Sequence, residues 1–206
     1  MTDHLIFYSS ANTRGKKDAS HAFIPEATAL REHLLRSYGS KYGSDLITVG
    51  IDCVNRSRID RMETVLHYIA NYKPKNVYFL GHGFKRSIQF GFRGQHHARI
   101  LGYMLDALNV GTCVFYCCST ARNVGNFSQW VSEAAPLCHV FGHWGPGHTT
   151  RFPGVKLYKG GESEVVVSSK SELWQPWKKA LQETDFRFGY TQLWDAEAIR
   201  EAVRGM

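Results

Sequence analysis

Several features that would settle a protein's class at once are missing from this 206-residue chain. No apolar run approaches the roughly 20 residues of a membrane-spanning helix, because charge or glycine interrupts each one, so no membrane partner is expected. The N-terminus holds no apolar segment of the kind that heads a secretory leader. The five cysteines, Cys53, Cys113, Cys117, Cys118 and Cys138, form an odd set without paired metal-ligand spacing. These absences argue against a cysteine metal centre and for a reducing cytoplasm. Gly-x-Ser-x-Gly is absent, which excludes a serine nucleophile elbow, and so are the P-loop and the dinucleotide glycine fingerprint. No metal and no cofactor is expected. Without an internal repeat, a low-complexity tract or a linker, and with 43% hydrophobic residues, residues 1–206 read as a single domain with a substantial core.

Acidic charge is in short supply: 18 Asp and Glu stand against 25 Lys and Arg, for a formal charge of +7. Such a balance suits an acidic peptide or nucleic acid, or serves only as a solvated surface. The basic residues are scattered, and their tightest groups (Arg14, Lys16, Lys17 and Arg56, Arg58, Arg61) fall in loop or helix-surface positions. Nucleic acid is therefore the less favoured partner.

Strand and helix patterns alternate through the first two-thirds of the chain. Leu5-Ile6-Phe7-Tyr8 reads as a central strand followed by loop chemistry at Ser9 to Lys17. Pro25 to Tyr38 reads as a helix, with Ala27, Leu30, Leu34 and Leu35 on one face and Gly39 just past its end. A strand at Leu46 to Ile51, a helix at Ile59 to Tyr72 stopped by Pro74, and a strand at Asn76 to Leu80 follow. Beyond a minor hairpin at Ser87 to Phe92 come a helix through Ile100 to Leu108, a strand at Cys113 to Cys117, a helix at Phe127 to Ala135 and a strand at Cys138 to Phe141. This order predicts an α/β fold with a mainly parallel central sheet flanked by helices on both faces, in three layers. Residues from about 155 to 206 read as a C-terminal hairpin, Val155 to Tyr158 with Glu164 to Ser168, and helices packed on the same domain. Trp174 and Trp177 are expected to bury against the sheet.

Two apolar runs end in residues that can do chemistry: Val77-Tyr78-Phe79-Leu80-Gly81-His82-Gly83 and Cys113-Val114-Phe115-Tyr116-Cys117-Cys118-Ser119-Thr120. In a parallel sheet both deliver their last residues to the carboxyl rim, where ligands bind, together with the loops after Tyr8 and Phe141. A thiolate there attacks a carbonyl, an imidazole moves the proton, and backbone N–H groups stabilise the oxyanion. His82 and Cys118 fit by type. Gly83 lets a substrate backbone approach, and its N–H is a candidate oxyanion donor. Adjacent strand residues point to opposite faces, so only one of Cys117 and Cys118 can meet His82; Cys118 is favoured, with Cys117 in the core.

The same placement resembles the clan CD cysteine peptidases, which include caspases, separases, legumains and gingipains. Such proteins carry an apolar block ending in His-Gly and, one helix later, another ending in a small residue and the nucleophilic Cys. The bacterial CHAT-domain proteases look closest, through Cys117-Cys118-Ser119-Thr120-Ala121 and Val140-Phe141-Gly142-His143-Trp144. The resemblance spans roughly residues 75–146. It implies a caspase-like fold and a cysteine endopeptidase acting on a protein or peptide substrate. With no evident prodomain, recruitment repeat or processing linker in the sequence, activation is expected to depend on an activating partner protein or on self-cleavage. The resemblance also implies a specificity pocket built partly from the loop after the first strand, with Asn12 and Arg14, and with Trp144 and Arg151 near it.

Other groupings carry less. His96 and His97 are adjacent on a helix and do not face one way. His139, His143 and His148 lack Cys or carboxylate partners at zinc spacing. Two rival functions stand beside the peptidase: an inactive member of the same fold that binds a protein partner, and a basic nucleic-acid-binding α/β protein.

Overall fold

The computed structural model describes residues 2–11, 13–14, 17–18, 23–42, 46–145 and 154–167. Along them run β1 (His4–Ala11), β2 (Thr13–Arg14), β3 (Lys17–Asp18), α1 (Ile24–Tyr42), β4 (Leu46–Asp52), α2 (Arg58–Tyr72), β5 (Asn76–Leu80), β6 (Gly83–Phe84) and β7 (Ser87–Ile88). The chain continues with α3 (Gly94–Ala107), β8 (Thr112–Tyr116), α4 (Phe127–Ala134), β9 (His139–His143), β10 (Val155–Lys159) and β11 (Glu162–Val167). Seven strands form one sheet in the order β11-β10-β9-β8-β5-β1-β4. The five from β4 to β9 are parallel to their neighbours, and the β10–β11 hairpin adds antiparallel strands at the β9 edge. The fold is thus α/β with a mainly parallel sheet, as the alternating pattern predicts.

Strands β5 and β8 are apolar throughout because both of their faces are covered. Even-numbered Tyr78, Leu80, Val114 and Tyr116 join Ile6 and the α1 residues Ala27, Leu30 and Leu34 in one cluster. Odd-numbered Val77, Phe79, Cys113, Phe115 and Cys117 join Val65 and Ile69 of α2, Leu101 and Leu105 of α3, and Val131 of α4 in the other. Phe79 is the hub of the second, stacked on Phe7 at 5.2 Å and on Phe115 at 5.2 Å.

The distribution of helices follows from the strand order. The crossover from β1 to β4 steps one way across the sheet and carries α1, while those ending at β5, β8 and β9 step the other way and carry α2, α3 and α4. A single crossover hand requires the two sets to lie on opposite faces, as they do. The loops after β1 and β5 therefore leave the sheet in opposite directions. That divergence makes the β1/β5 rim the topological switch point, the place where open α/β sheets bind ligands.

Local differences from the sequence expectation have local reasons. The helix α1 runs through Gly39 to Tyr42, since an internal glycine costs only about 1 kcal/mol against alanine and does not by itself break a helix. The strand β1 extends to Ala11, and a short β2–β3 pairing stands where only loop was expected. The minor hairpin begins earlier than Ser87, with Gly83 opposite Ile88 and Phe84 opposite Ser87. Ser57 and Asp60 form a capping box at the start of α2, and Lys73 ends that helix in the left-handed conformation before Pro74. The helices expected beyond the C-terminal hairpin, with Trp174 and Trp177, lie outside the described residues.

Among the described residues no helix is long and apolar enough to cross a membrane.

Candidate active site

Pairing of β5 with β8 sets Phe79 beside Phe115 and Leu80 beside Tyr116, so the segments that follow, Gly81-His82-Gly83 and Cys117-Cys118, leave the rim together. They are in direct contact. A Cβ placed on Gly83 would lie 2.6 Å from Cys117 Cβ and 2.7 Å from the Cys118 carbonyl oxygen. Only a residue without a side chain lets the two backbones approach this closely.

Cys117 and Cys118 then diverge. Cys117 is fully buried in the cluster under α2, α3 and α4, and its thiol donates to Phe79 O at 3.4 Å. Burial first, and the neighbouring Cys118 second, push its thiol well above the usual range, against a smaller opposing effect of the Gly81 N–H. Cys118 is only partly buried.

His82 is held by its backbone. Its N–H donates to Gln89 Oε1 at 3.1 Å, and its carbonyl accepts from the Gln89 N–H at 3.0 Å, so Gln89 clamps the residue from both sides. Its ring meets the edge of Phe23, centroids 5.1 Å apart, immediately before α1. Phe23 belongs to the α1 cluster, on the opposite side of the sheet from Cys117. Glu26, one turn further along α1, is buried.

The turn that carries Cys118 is locked in several places. Ser119 has φ of +61°, a left-handed conformation that a non-glycine residue holds only when its surroundings fix it. The fixing contacts are Ser119 N–H to Gly145 O at 2.9 Å, Ala121 N–H to His143 O at 2.9 Å, and Thr120 Oγ1 to Cys117 O at 3.0 Å. Asn126 anchors the far end: its Nδ2 donates to Asn123 O at 2.6 Å and to the Tyr158 hydroxyl at 2.8 Å, while its Oδ1 caps α4 through the Gln129 N–H at 2.9 Å.

His143, at the end of β9, is buried against the Tyr116 ring, 6.0 Å between centroids. Burial alone lowers its pKa to about 3, so its ring is neutral. Trp144 beside it is 43% exposed, with the Lys156 ammonium 5.4 Å from its ring centroid.

Of the residues named from sequence, His82, Gly83, Cys117 and Cys118 are brought together, and Trp144 stands on the next loop of the same rim. Asn12 and Arg151 lie outside the described residues, and of Arg14 only the backbone, in β2, is described. Sequence reasoning missed Phe23, Glu26, Gln89 and Asn126. Each acts across the fold or from inside a loop, and only the buried position of Glu26 at helical spacing from Leu30 left any trace in the pattern.

The chain matches no protein-family model, no curated protein and no solved structure.

Proposed function

We propose that the protein is a caspase-like cysteine endopeptidase, with Cys118 as nucleophile and His82 as general acid and base. One observation carries the reading: the backbone of Gly83 packs on the Cys117–Cys118 peptide, which sets the His82 turn against the Cys118 turn. The burial of Cys117 on the far face leaves Cys118 as the thiol for the rim.

In this reading the Cys118 thiol gives its proton to His82, and the thiolate attacks the scissile carbonyl carbon. N–H groups near Gly83 and Cys118 hold the oxyanion, and the Ser119 N–H, committed to Gly145 O, takes no part. The C–N bond breaks as the imidazolium protonates the leaving amine, leaving a thioester. Water, deprotonated by His82, then attacks the thioester and returns the thiol. Trp144 flanks the bound peptide, and Arg14, Asn12 and Arg151 contribute to the pocket for the residue before the cleaved bond. The substrate is a protein or peptide, and a partner protein switches the enzyme on.

The test is cleavage of labelled casein by the purified chain beside Cys118→Ala, Cys117→Ala and His82→Ala. Activity lost in Cys118→Ala and His82→Ala but kept in Cys117→Ala supports the assignment. Activity kept in Cys118→Ala overturns it.

A further inference from the structure

Three large apolar side chains are exposed near the candidate nucleophile, one on each of the segments after β5, β8 and β9. Phe84 is 65% exposed directly after Gly83, Val124 is 83% exposed on the loop that follows Cys118, and Trp144 is 43% exposed at the end of β9. These loops are tied to one another. Phe127 N–H donates to Lys85 O at 2.8 Å, joining the β6–β7 hairpin to the Val124 loop, and Ser119 N–H donates to Gly145 O, joining the Cys118 turn to Trp144.

The charge of the same loops is of one sign. Residues 81–93 and 117–129 contain Lys85, Arg86, Arg93 and Arg122 and not one Asp or Glu. Arg86, Arg93 and Arg122 are exposed. The ion pairs seen among the described residues, Lys75 with Asp3 and Arg99 with Glu133, involve none of the four. Arg86 lies over the Trp130 ring of α4 at 5.8 Å, which holds its head between the hairpin and α4. Exposed apolar side chains set among cations of one sign are complementary to a partner that is apolar and acidic together.

We infer that this rim is a substrate-docking surface for an extended polypeptide segment that carries acidic and large apolar side chains together. The inference rests on the peptidase reading for its position around Cys118, and it names the substrate class which that reading leaves open. Phe84 and Val124 take the apolar side chains, and Arg122 and Arg86 take the carboxylates, with planar guanidinium groups suited to carboxylate oxygens.

Binding is measured apart from cleavage, by fluorescence anisotropy with the full chain carrying Cys118→Ala. The probes are two fluorescein-labelled 14-residue peptides of Gly, Ser and Leu, one with four Glu and the other with four Lys at the same positions. The Glu peptide is expected to bind at least tenfold more tightly than the Lys peptide. Arg122→Glu and Phe84→Ser should each weaken it at least fivefold, and Tyr103→Ser, an exposed aromatic on α3, should leave it unchanged. Equal binding of the two peptides, absence of binding up to millimolar concentration, or indifference to Arg122→Glu and Phe84→Ser overturns the inference. So does displacement of the Glu peptide by a single-stranded oligonucleotide, which would assign the cations to phosphate. Casein cleavage by the unsubstituted chain without this selectivity defeats the docking surface alone. Selective binding with no cleavage of casein or of the Glu peptide defeats the peptidase reading alone.

Discussion

Gly83 and Cys117 lie so close that a single methyl group on the glycine would stand 2.6 Å from the cysteine Cβ, well inside van der Waals contact. A second clash, 2.7 Å from the Cys118 carbonyl oxygen, is with backbone and cannot be relieved by a rotamer change. Gly83 has no positive φ, so its need for glycine is one of space alone. Gly83→Ala is therefore expected to fold but to push the His82 turn away from Cys118. Overpacking of this kind costs about 1–3 kcal/mol. Casein cleavage should fall at least tenfold in kcat/KM, out of proportion to the modest loss seen in urea denaturation. Undiminished cleavage would show that the two turns need not be in contact.

The five thiols differ in how they are held, and alkylation reads that difference. Cys113 and Cys117 are fully buried and desolvation raises both thiols well above the ordinary range. Cys53 is partly buried and raised by the same cause, with Ser9 and Arg61 opposing it. With iodoacetamide at pH 7.5 and mass-spectrometric assignment, Cys118 should be modified first and Cys117 only on unfolding. Under the proposed pairing His82→Ala slows the Cys118 reaction without exposing Cys117. Early labelling of Cys117 would reverse the roles of the two cysteines.

Asn126 holds the Cys118 loop, α4 and Tyr158 together through three hydrogen bonds at a fully buried site. Asn126→Ala removes an N-cap, typically worth about 1 kcal/mol, and takes an amide donor from the part-buried Asn123 carbonyl and from the buried Tyr158 hydroxyl, which keeps its bond to Ala121 O, at about 1–3 kcal/mol together. A loss of about 2–4 kcal/mol is expected in urea denaturation, with a larger fractional loss of peptide cleavage because Ala121, Asn123 and Ser119 belong to one loop. Asn126→Asp keeps the cap acceptor while losing the amide donors, so it should fall between the two. If Asn126→Ala unfolds like the unsubstituted chain, the loop is held elsewhere.

How far the sequence could be read is set by the range of the interactions involved. Val77 to Leu80 and Val114 to Tyr116 announce themselves as strands buried on both faces, and two-residue alternation alone separates Cys117 from Tyr116. That is enough to place His82 and Cys118 on one rim. The clamp by Gln89 depends on a hairpin whose turn chemistry, Lys85-Arg86, carries no glycine, proline, asparagine or aspartate to mark it. Phe23, just before α1, reaches the His82 ring from more than 50 residues earlier in the chain, through packing that no local pattern encodes. Gly39 misleads for the opposite reason: its helix-ending preference is a small local energy, and the helix runs through it to Tyr42.

His143 supplies a test that needs no substrate. Its Nδ1 is buried without a hydrogen-bond partner among the described residues, its ring faces that of Tyr116, and burial lowers its pKa to about 3 from an ordinary 6.5. Because the folded value is depressed, the unfolded chain takes up this proton first as pH falls. The neutral ring's contribution is fully present above about pH 6.5 and is lost progressively toward pH 3, at about 1.4 kcal/mol per pH unit. His143→Phe keeps a ring against Tyr116 and removes the titration. Urea denaturation at pH 7.5 and pH 5 should show the unsubstituted chain losing about 1–2 kcal/mol more than His143→Phe over that interval. Equal losses would mean that His143 reaches water and protonates in the folded protein, which would place a cation at the end of β9 against Tyr116.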